Sequence, residues 1–183
     1  MGDGKDKAAV KAANAALAAK GGVPGGGAAE LSGNIAQVLE AAHIQYKTVD
    51  GGIEVDCSLT RNYPEVKLDL SILAPIAKKI VSLDLSKTKV ANKDLAPVAE
   101  MSNLTKLLLS RTTVGDDALA HLSGLRKLEI LNLYGTNVSN AGLEHLKELS
   151  SLKKLYLWNS KATSAGGDRL KKANPNLEVN VGQ

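Results

Sequence analysis

Residues 128–149 read LEILNLYGTNVSNAGLEHLKEL, and the order of residue types in that stretch returns along the chain at intervals of 24. Leu83, Leu107, Leu131 and Leu155 form one column, and Leu85, Leu109, Leu133 and Leu157 form the next. Thr88, Thr112, Thr136 and Ser160 follow, then Val90, Val114, Val138 and Ala162. Ile80, Leu104, Leu128 and Leu152 precede them, while Val98, Leu122, Leu146 and Leu170 close each turn. Columns held in register over successive repeats describe a stack of similar coils, each covering the apolar edge of its neighbour.

The pattern L-x-x-L-x-L-x-x-T-x-V, followed by a polar residue and L-x-x-L-x-x-L, is one coil of a leucine-rich repeat. It predicts an α/β solenoid, with parallel strands on the concave face, helices on the convex face, and a helix-hairpin cap at the amino end. The column arithmetic places strands at 53–57, 83–85, 107–109, 131–133, 155–157 and 179–181, and helices near 93–101, 116–123, 140–148 and 164–173. Asn92, Asp116, Asn140 and Ser164 share a column and read as helix N-caps. Pro75 and Pro97 predict helices that begin late or as 3₁₀ turns. Gly166-Gly167 in place of a leucine pair reads as a weakening of the last repeat.

Before the repeats the sequence changes character. Residues 1–28 read as a flexible tail and linker: a frayed start, an Ala-rich stretch with few apolar anchors, then GGVPGGG at 21–27. That glycine run is no phosphate loop, because no Gly-Lys-Ser/Thr closes it. Asp3 and Asp6 also argue against a signal peptide here. The repeat domain is placed at 29–183, with the cap and first strand at 29–59 and the repeats at 60–183. Residues 29–42 form an amphipathic helix, and the alternation on either side of Gly51-Gly52 reads as a hairpin. The first coil looks irregular. Ile53 stands 30 residues before Leu83, so six extra residues are assigned to a protruding loop at 58–64.

Composition excludes more than it assigns. The chain has 183 residues, a net charge of +4, 44% hydrophobic residues and no Phe. The excess charge lies in the repeats and is too small to imply a nucleic acid partner. No apolar run approaches the ~20 residues of a membrane helix, so no membrane insertion is expected. A single cysteine, Cys57, excludes an internal disulfide framework. Its place on an alternating strand reads as a small buried hydrophobe.

T-x-V-[ST]-[DN]-A-G-L followed by LKKLYLW resembles the short leucine-rich repeats of planctomycete-type bacterial proteins, over roughly residues 40–183. Such repeats often follow a c-type cytochrome domain. The resemblance implies an exported, periplasmic interaction module, with a haem domain as one conceivable neighbour. No Cys-x-x-Cys-His motif occurs in this chain, so the cytochrome function is not carried over.

Strand alternation turns the leucines inward and the residues between them onto the concave face. That face begins acidic at Glu54, Asp56 and Asp84 and ends aromatic and basic. Lys106, Leu108, Ile130, Asn132, Tyr134, Lys154, Tyr156 and Trp158 are the candidate partner-binding residues. Two readings stay open: aromatic side chains that stack between coils, or a binding patch anchored by Tyr and Trp. Leu108, Ile130, Tyr134, Tyr156 and Trp158 are expected to form one contiguous exposed apolar surface.

Other constellations carry less. His121 and His145 share a column with Pro97 and Arg169, which supplies no third metal ligand. The threonine column has no recurring base beside it, and its side chains are expected to bond the backbone of the next coil. The sequons at Asn103 and Asn137 sit against core positions. No catalytic residue, metal or cofactor is expected. The sequence points to a non-enzymatic protein or peptide-binding module, or alternatively to a docking module of a cytochrome-containing electron-transfer protein.

Overall fold

A computed structural model of the chain describes residues 33–63 and 67–182; the tail and linker reading for 1–28 lies outside those residues. Helix α1 (Gly33–Ala41) precedes the hairpin β1 (Gln45–Val49) and β2 (Gly52–Asp56). The parallel strands β3 (Ile80–Asp84), β4 (Lys106–Leu108), β5 (Ile130–Asn132), β6 (Lys154–Tyr156) and β7 (Glu178–Asn180) follow. All seven strands form one sheet in sequence order, antiparallel between β1 and β2 and parallel from β2 onward. The expected strands are present, shifted about one residue toward the amino end. Leu83, Leu107, Leu131 and Leu155 pair across the ladder and are buried to within 1%. Apolar burial in these columns is the main stabilising term of the fold.

The connections on the other face are short. Residues Leu70–Lys79 and Asn92–Glu100 are 3₁₀ helices containing Pro75 and Pro97, as the prolines dictate. Helix α2 (Asp116–Ala120) and the 3₁₀ helix Gly142–Leu146 are shorter than the column arithmetic suggests, and α3 (Ser164–Ala173) matches it. Gly166-Gly167 has a packing role in the last coil. A Cβ on Gly167 would lie 2.9 Å from Val179 Cγ1, so the glycines let α3 sit close on β7.

The first coil differs from the expectation in register. Val55, not Ile53, pairs with Leu83, after an irregularity between Ile53 and Glu54. The coil is therefore 28 residues long, four more than its successors. Residues 58–63 do not protrude as a loop. Ser58–Asn62 is a 3₁₀ helix, Thr60 is buried, and the Tyr63 ring stacks on His43 at 3.6 Å, tying the segment to the cap. His43, at φ 55°, ends α1 in the left-handed conformation, and the Ile44 N–H returns to the Leu39 carbonyl.

Two polar columns work differently from their sequence reading. Thr88, Thr112 and Thr136 do not reach the next coil. Each hydroxyl donates to the carbonyl three residues back within its own coil, at 2.7, 2.7 and 2.8 Å, and Thr60 does the same to Cys57 at 2.7 Å. The Asn92, Asp116 and Asn140 side chains do not cap their own helices. Their Oδ1 atoms accept the backbone N–H of Gly115, Ser139 and Thr163 in the following coil, at 2.7, 2.7 and 2.9 Å. In the coil of Asn92, the corresponding N–H, that of Ala91, is served by Asp94 at 2.9 Å. Once the coils stack, an N–H one coil away satisfies these oxygens as well as a local one would.

Asp116 is the charged member of this column. Burial alone would raise its pKa, but donation from the Ser139 hydroxyl and N–H and the Gly142 N–H, with Lys161 nearby, outweighs that and holds the carboxyl below its usual range. A folded pKa below the unfolded value of about 3.9 contributes stability above that pH, and loses it as the pH falls through the folded pKa. Asp116→Asn keeps an acceptor and loses the charge, so it should cost about 1 kcal/mol at pH 7. The gap to wild type should narrow as the pH falls through the folded pKa, and denaturation curves at neutral and acid pH check the sign.

Candidate partner-binding face

The eight candidate residues occupy a grid of three strands by three columns on the concave face. Lys106, Ile130 and Lys154 are register partners, as are Leu108, Asn132 and Tyr156; Tyr134 and Trp158 occupy the third column beside Ser110. Exposure is uneven. Trp158 is 57% and Tyr156 36% exposed, whereas Leu108, Ile130 and Tyr134 are half-buried. The expected exposed surface therefore narrows to Tyr156 and Trp158, because side chains of adjacent coils shield one another at strand spacing.

The middle column carries a backbone duty. Asp56, Asp84, Asn132 and Asn180 each accept, through Oδ1, the N–H two residues on, at 2.7, 2.8, 2.9 and 3.0 Å. Leu108 and Tyr156 stand in the same column and have no oxygen positioned to do it. Two coils thus give up a local hydrogen bond and place an apolar or aromatic group on the face instead.

A second recurrence is not legible from alternation as a site feature. Lys87, Arg111, Gly135 and Asn159, spaced by 24, all have positive φ, between 55° and 65°. The N–H groups of Lys87, Arg111 and Gly135 donate to the carbonyls of Ser110, Tyr134 and Trp158, at 2.8, 2.7 and 2.9 Å. Side chains in this left-handed column lie beside the third concave column. Arg111 donates from Nη2 to the Tyr134 hydroxyl at 3.1 Å, with its guanidinium carbon 5.2 Å from the ring centroid. The Tyr134 and Trp158 rings are 5.4 Å apart and tilted by 41°. Trp158 continues onto Gly182, where the approach is so close that a Cβ would lie 2.6 Å from the indole Cγ. Stacking between coils is therefore real along this column, yet it leaves more than half of Trp158 in solvent.

A shallow groove of about 850 Å³ runs from this patch to the carboxy-terminal end of the sheet. Lys154, Tyr156 and Trp158 line it together with Glu178, Val179, Asn180, Val181 and Gly182. Arg111 and the β7 residues are members of the face that strand alternation alone does not identify; the 24-residue recurrence of Lys87, Arg111, Gly135 and Asn159 is the available signal for the first.

Other candidates resolve structurally. Cys57 is buried, and burial followed by the charges of Asp56 and Asp84 pushes its thiol pKa up, so it stays protonated and unreactive. Among the described residues there is no cluster of three His, Cys, Asp or Glu side chains that could hold a metal, and no helix is long and apolar enough to cross a membrane.

No family model and no curated protein matches this chain. Among solved structures it is similar to a leucine-rich repeat protein of Leptospira interrogans, at 20% identity and TM-score 0.43, over 56% of this chain and 25% of that one. It is similar to an internalin of Listeria monocytogenes, at 20% identity and TM-score 0.44, over 63% of this chain and 38% of that one. The leucine-rich repeat ectodomain of a receptor kinase from Arabidopsis thaliana gives 16% identity and TM-score 0.48, over 80% of this chain and 88% of that one. The chain thus spans well under half the length of the two bacterial proteins. None of these similarities bears on a planctomycete origin or a cytochrome neighbour. With a coil period of 24 residues, a parallel ladder in sequence order and helices closing each turn, the fold is an α/β leucine-rich repeat solenoid.

Proposed function

We propose that the chain is a non-enzymatic binding module that takes a protein or peptide segment on the carboxy-terminal half of its concave face. The observation that carries this reading is the middle column, where Leu108 and Tyr156 replace side chains that elsewhere satisfy the backbone. A position that abandons a local structural rule without local gain is a candidate for function. Trp158, exposed beside Tyr156, adds the residue type most favoured as an interface anchor. Lys106, Lys154 and Arg111 give this half a positive rim, opposite in sign to Glu54, Asp56 and Asp84 at the other end. Ile130, Asn132 and Tyr134 complete the floor. The face offers aromatic, amide and cationic groups rather than a nucleophile beside a base, which suits recognition.

Trp158→Ala tests the assignment. As an anchor, Trp158 should contribute about 2 kcal/mol or more to partner affinity, and less than about 1 kcal/mol to folding. Quantitative pull-down from the native extract, run beside denaturation, reads both. A clear loss of stability with an unchanged set of captured proteins would remove this face as the binding site.

A further inference from the structure

Lys87 and Arg111 stand on neighbouring coils in the interior of the stack, after β3 and β4, with described coils on either side. Both side chains are exposed, and at strand spacing their backbones lie about 5 Å apart. Like charges set side by side repel unless an anion lies between them. Among the described residues the ion pairs are Arg126–Glu148, Lys147–Glu144 and Lys153–Glu129, and neither Lys87 nor Arg111 enters one. Asp84 is near Lys87 in sequence, but its Oδ1 accepts the Ser86 N–H at 2.8 Å. Arg111 is also held in place. Its stem leans toward the next coil at Gly135, where a Cβ would stand 3.3 Å from the Arg111 Cγ. The bond from Nη2 to the Tyr134 hydroxyl uses one of five guanidinium N–H donors and leaves the others for an outside acceptor. On the adjoining residues the Ser110 hydroxyl donates to that of Ser86 at 2.9 Å, so one hydroxyl proton of the pair is left as well. A positioned guanidinium fork, a second cation and a spare hydroxyl suit a carboxylate.

We infer that Lys87 and Arg111 together receive the side-chain carboxylate of an Asp or Glu in the partner segment, and that an aliphatic residue three positions away rests on Trp158. The apolar requirement comes from what adjoins the cations. Arg111, Tyr134 and Trp158 form one continuous ladder of planar groups, with the guanidinium carbon 5.2 Å from the tyrosine centroid and the two rings 5.4 Å apart. A ligand that fills this site carries charge at one end and apolar surface at the other, which a peptide supplies and a small inorganic anion does not. The spacing comes from the sheet. Trp158 lies two strands beyond Arg111, about 10 Å, a distance that an extended chain covers in three residues. This site rests on the binding function proposed above, to which it adds a charged anchor away from the groove and a sequence preference.

The test uses the full chain, with Trp158, its single tryptophan, as the fluorescent reporter. Capped peptides Ser-Glu-Ser-Ser-Leu-Ser and Ser-Gln-Ser-Ser-Leu-Ser differ only in the carboxylate. The Glu peptide should bind about tenfold more tightly, and its advantage should shrink as salt is raised. Arg111→Gln should make the two peptides equal at an unchanged melting temperature, whereas Arg111→Lys, which keeps the charge without the fork, should restore only part of the preference. Lys87→Gln, at a side chain that makes no ion pair among the described residues, should lower the preference as well. Failure of the Glu peptide to bind, equal binding of the two peptides to the wild type, or a preference that survives Arg111→Gln overturns the site. Inorganic phosphate bound as tightly as the Glu peptide would make the pair a general anion site and would also overturn the assignment. If a partner from the extract is lost with Trp158→Ala and retained with both Arg111→Gln and Lys87→Gln, the concave reading stands and this one falls.

Discussion

Alanine in place of Gly142 should lower stability by about 2–3 kcal/mol, although glycine to alanine within a helical turn is ordinarily favourable. The reason lies in the coil before it. A Cβ on Gly142 would meet the Asp116 carboxylate and stand 2.9 Å from the Asp116 Cα. The obstacle includes backbone, so no rotamer change relieves it. Accommodating the methyl group moves the two coils apart, at the level where Asp116 accepts from the Ser139 N–H and hydroxyl, both at 2.7 Å. Hydrogen bonds to a charged acceptor contribute roughly 1.5–3 kcal/mol, so weakening them adds to the overpacking cost. Gly124→Ala is the matched control, because nothing lies within 4 Å of its added Cβ. Urea denaturation of the two variants should separate them widely, and equal effects would mean that the contact between coils is softer than its geometry indicates.

Leu131→Ala should be as costly, by about 3 kcal/mol or more, with a melting temperature lower by roughly 10 °C. Leu131 is completely buried between Leu107 and Leu155, in the middle of the parallel ladder. A cavity there cannot be filled by collapse from one side, because the strands on both sides are held in register. In a solenoid each coil touches only its neighbours, so the loss also weakens the coupling between the two halves of the stack. The unfolding transition should therefore broaden as well as shift. Ile130→Ala, one residue away on the half-buried concave side, should cost only about 1 kcal/mol. Calorimetry on both variants would expose any error in the inward and outward assignment of β5.

That assignment is legible in the sequence, since a period of 24 combined with strand alternation decides which face each residue takes. The core columns and the eight-residue grid follow from it. What a period cannot reveal is the direction in which a polar side chain turns. Asn, Asp and Thr serve equally as helix caps, as local turn bonds and as links between coils, and the choice depends on which N–H or carbonyl the stacked neighbour brings near. Hence the sequence identifies the Asn92–Asp116–Asn140 and Thr88–Thr112–Thr136 columns by residue and assigns them the wrong partners. The first coil is ambiguous for another reason. Ile53 and Val55 are both apolar positions of an alternating strand, and only the irregularity before Glu54 selects Val55 as the partner of Leu83. On the face, Arg111 and Gly182 stay hidden because a left-handed residue aims its side chain outside the simple alternation, and because a contact made in one coil alone has no repeat to announce it.

The Asn92, Asp116 and Asn140 contacts have a direction. In each the side-chain acceptor belongs to the earlier coil and the backbone donor to the later one. A chain emerging from synthesis amino end first therefore presents a finished acceptor before the residue that needs it has been made. Once the cap and first coils have formed, every new coil can close onto a surface that already carries its leucine ridge and the oxygen for its turn. Growth in the opposite sense would leave those turn N–H groups waiting for a partner not yet in place. For these three contacts the order of synthesis and the order of bonding agree, whereas the N–H groups of Lys87, Arg111 and Gly135 wait for the carbonyls of the coil that follows.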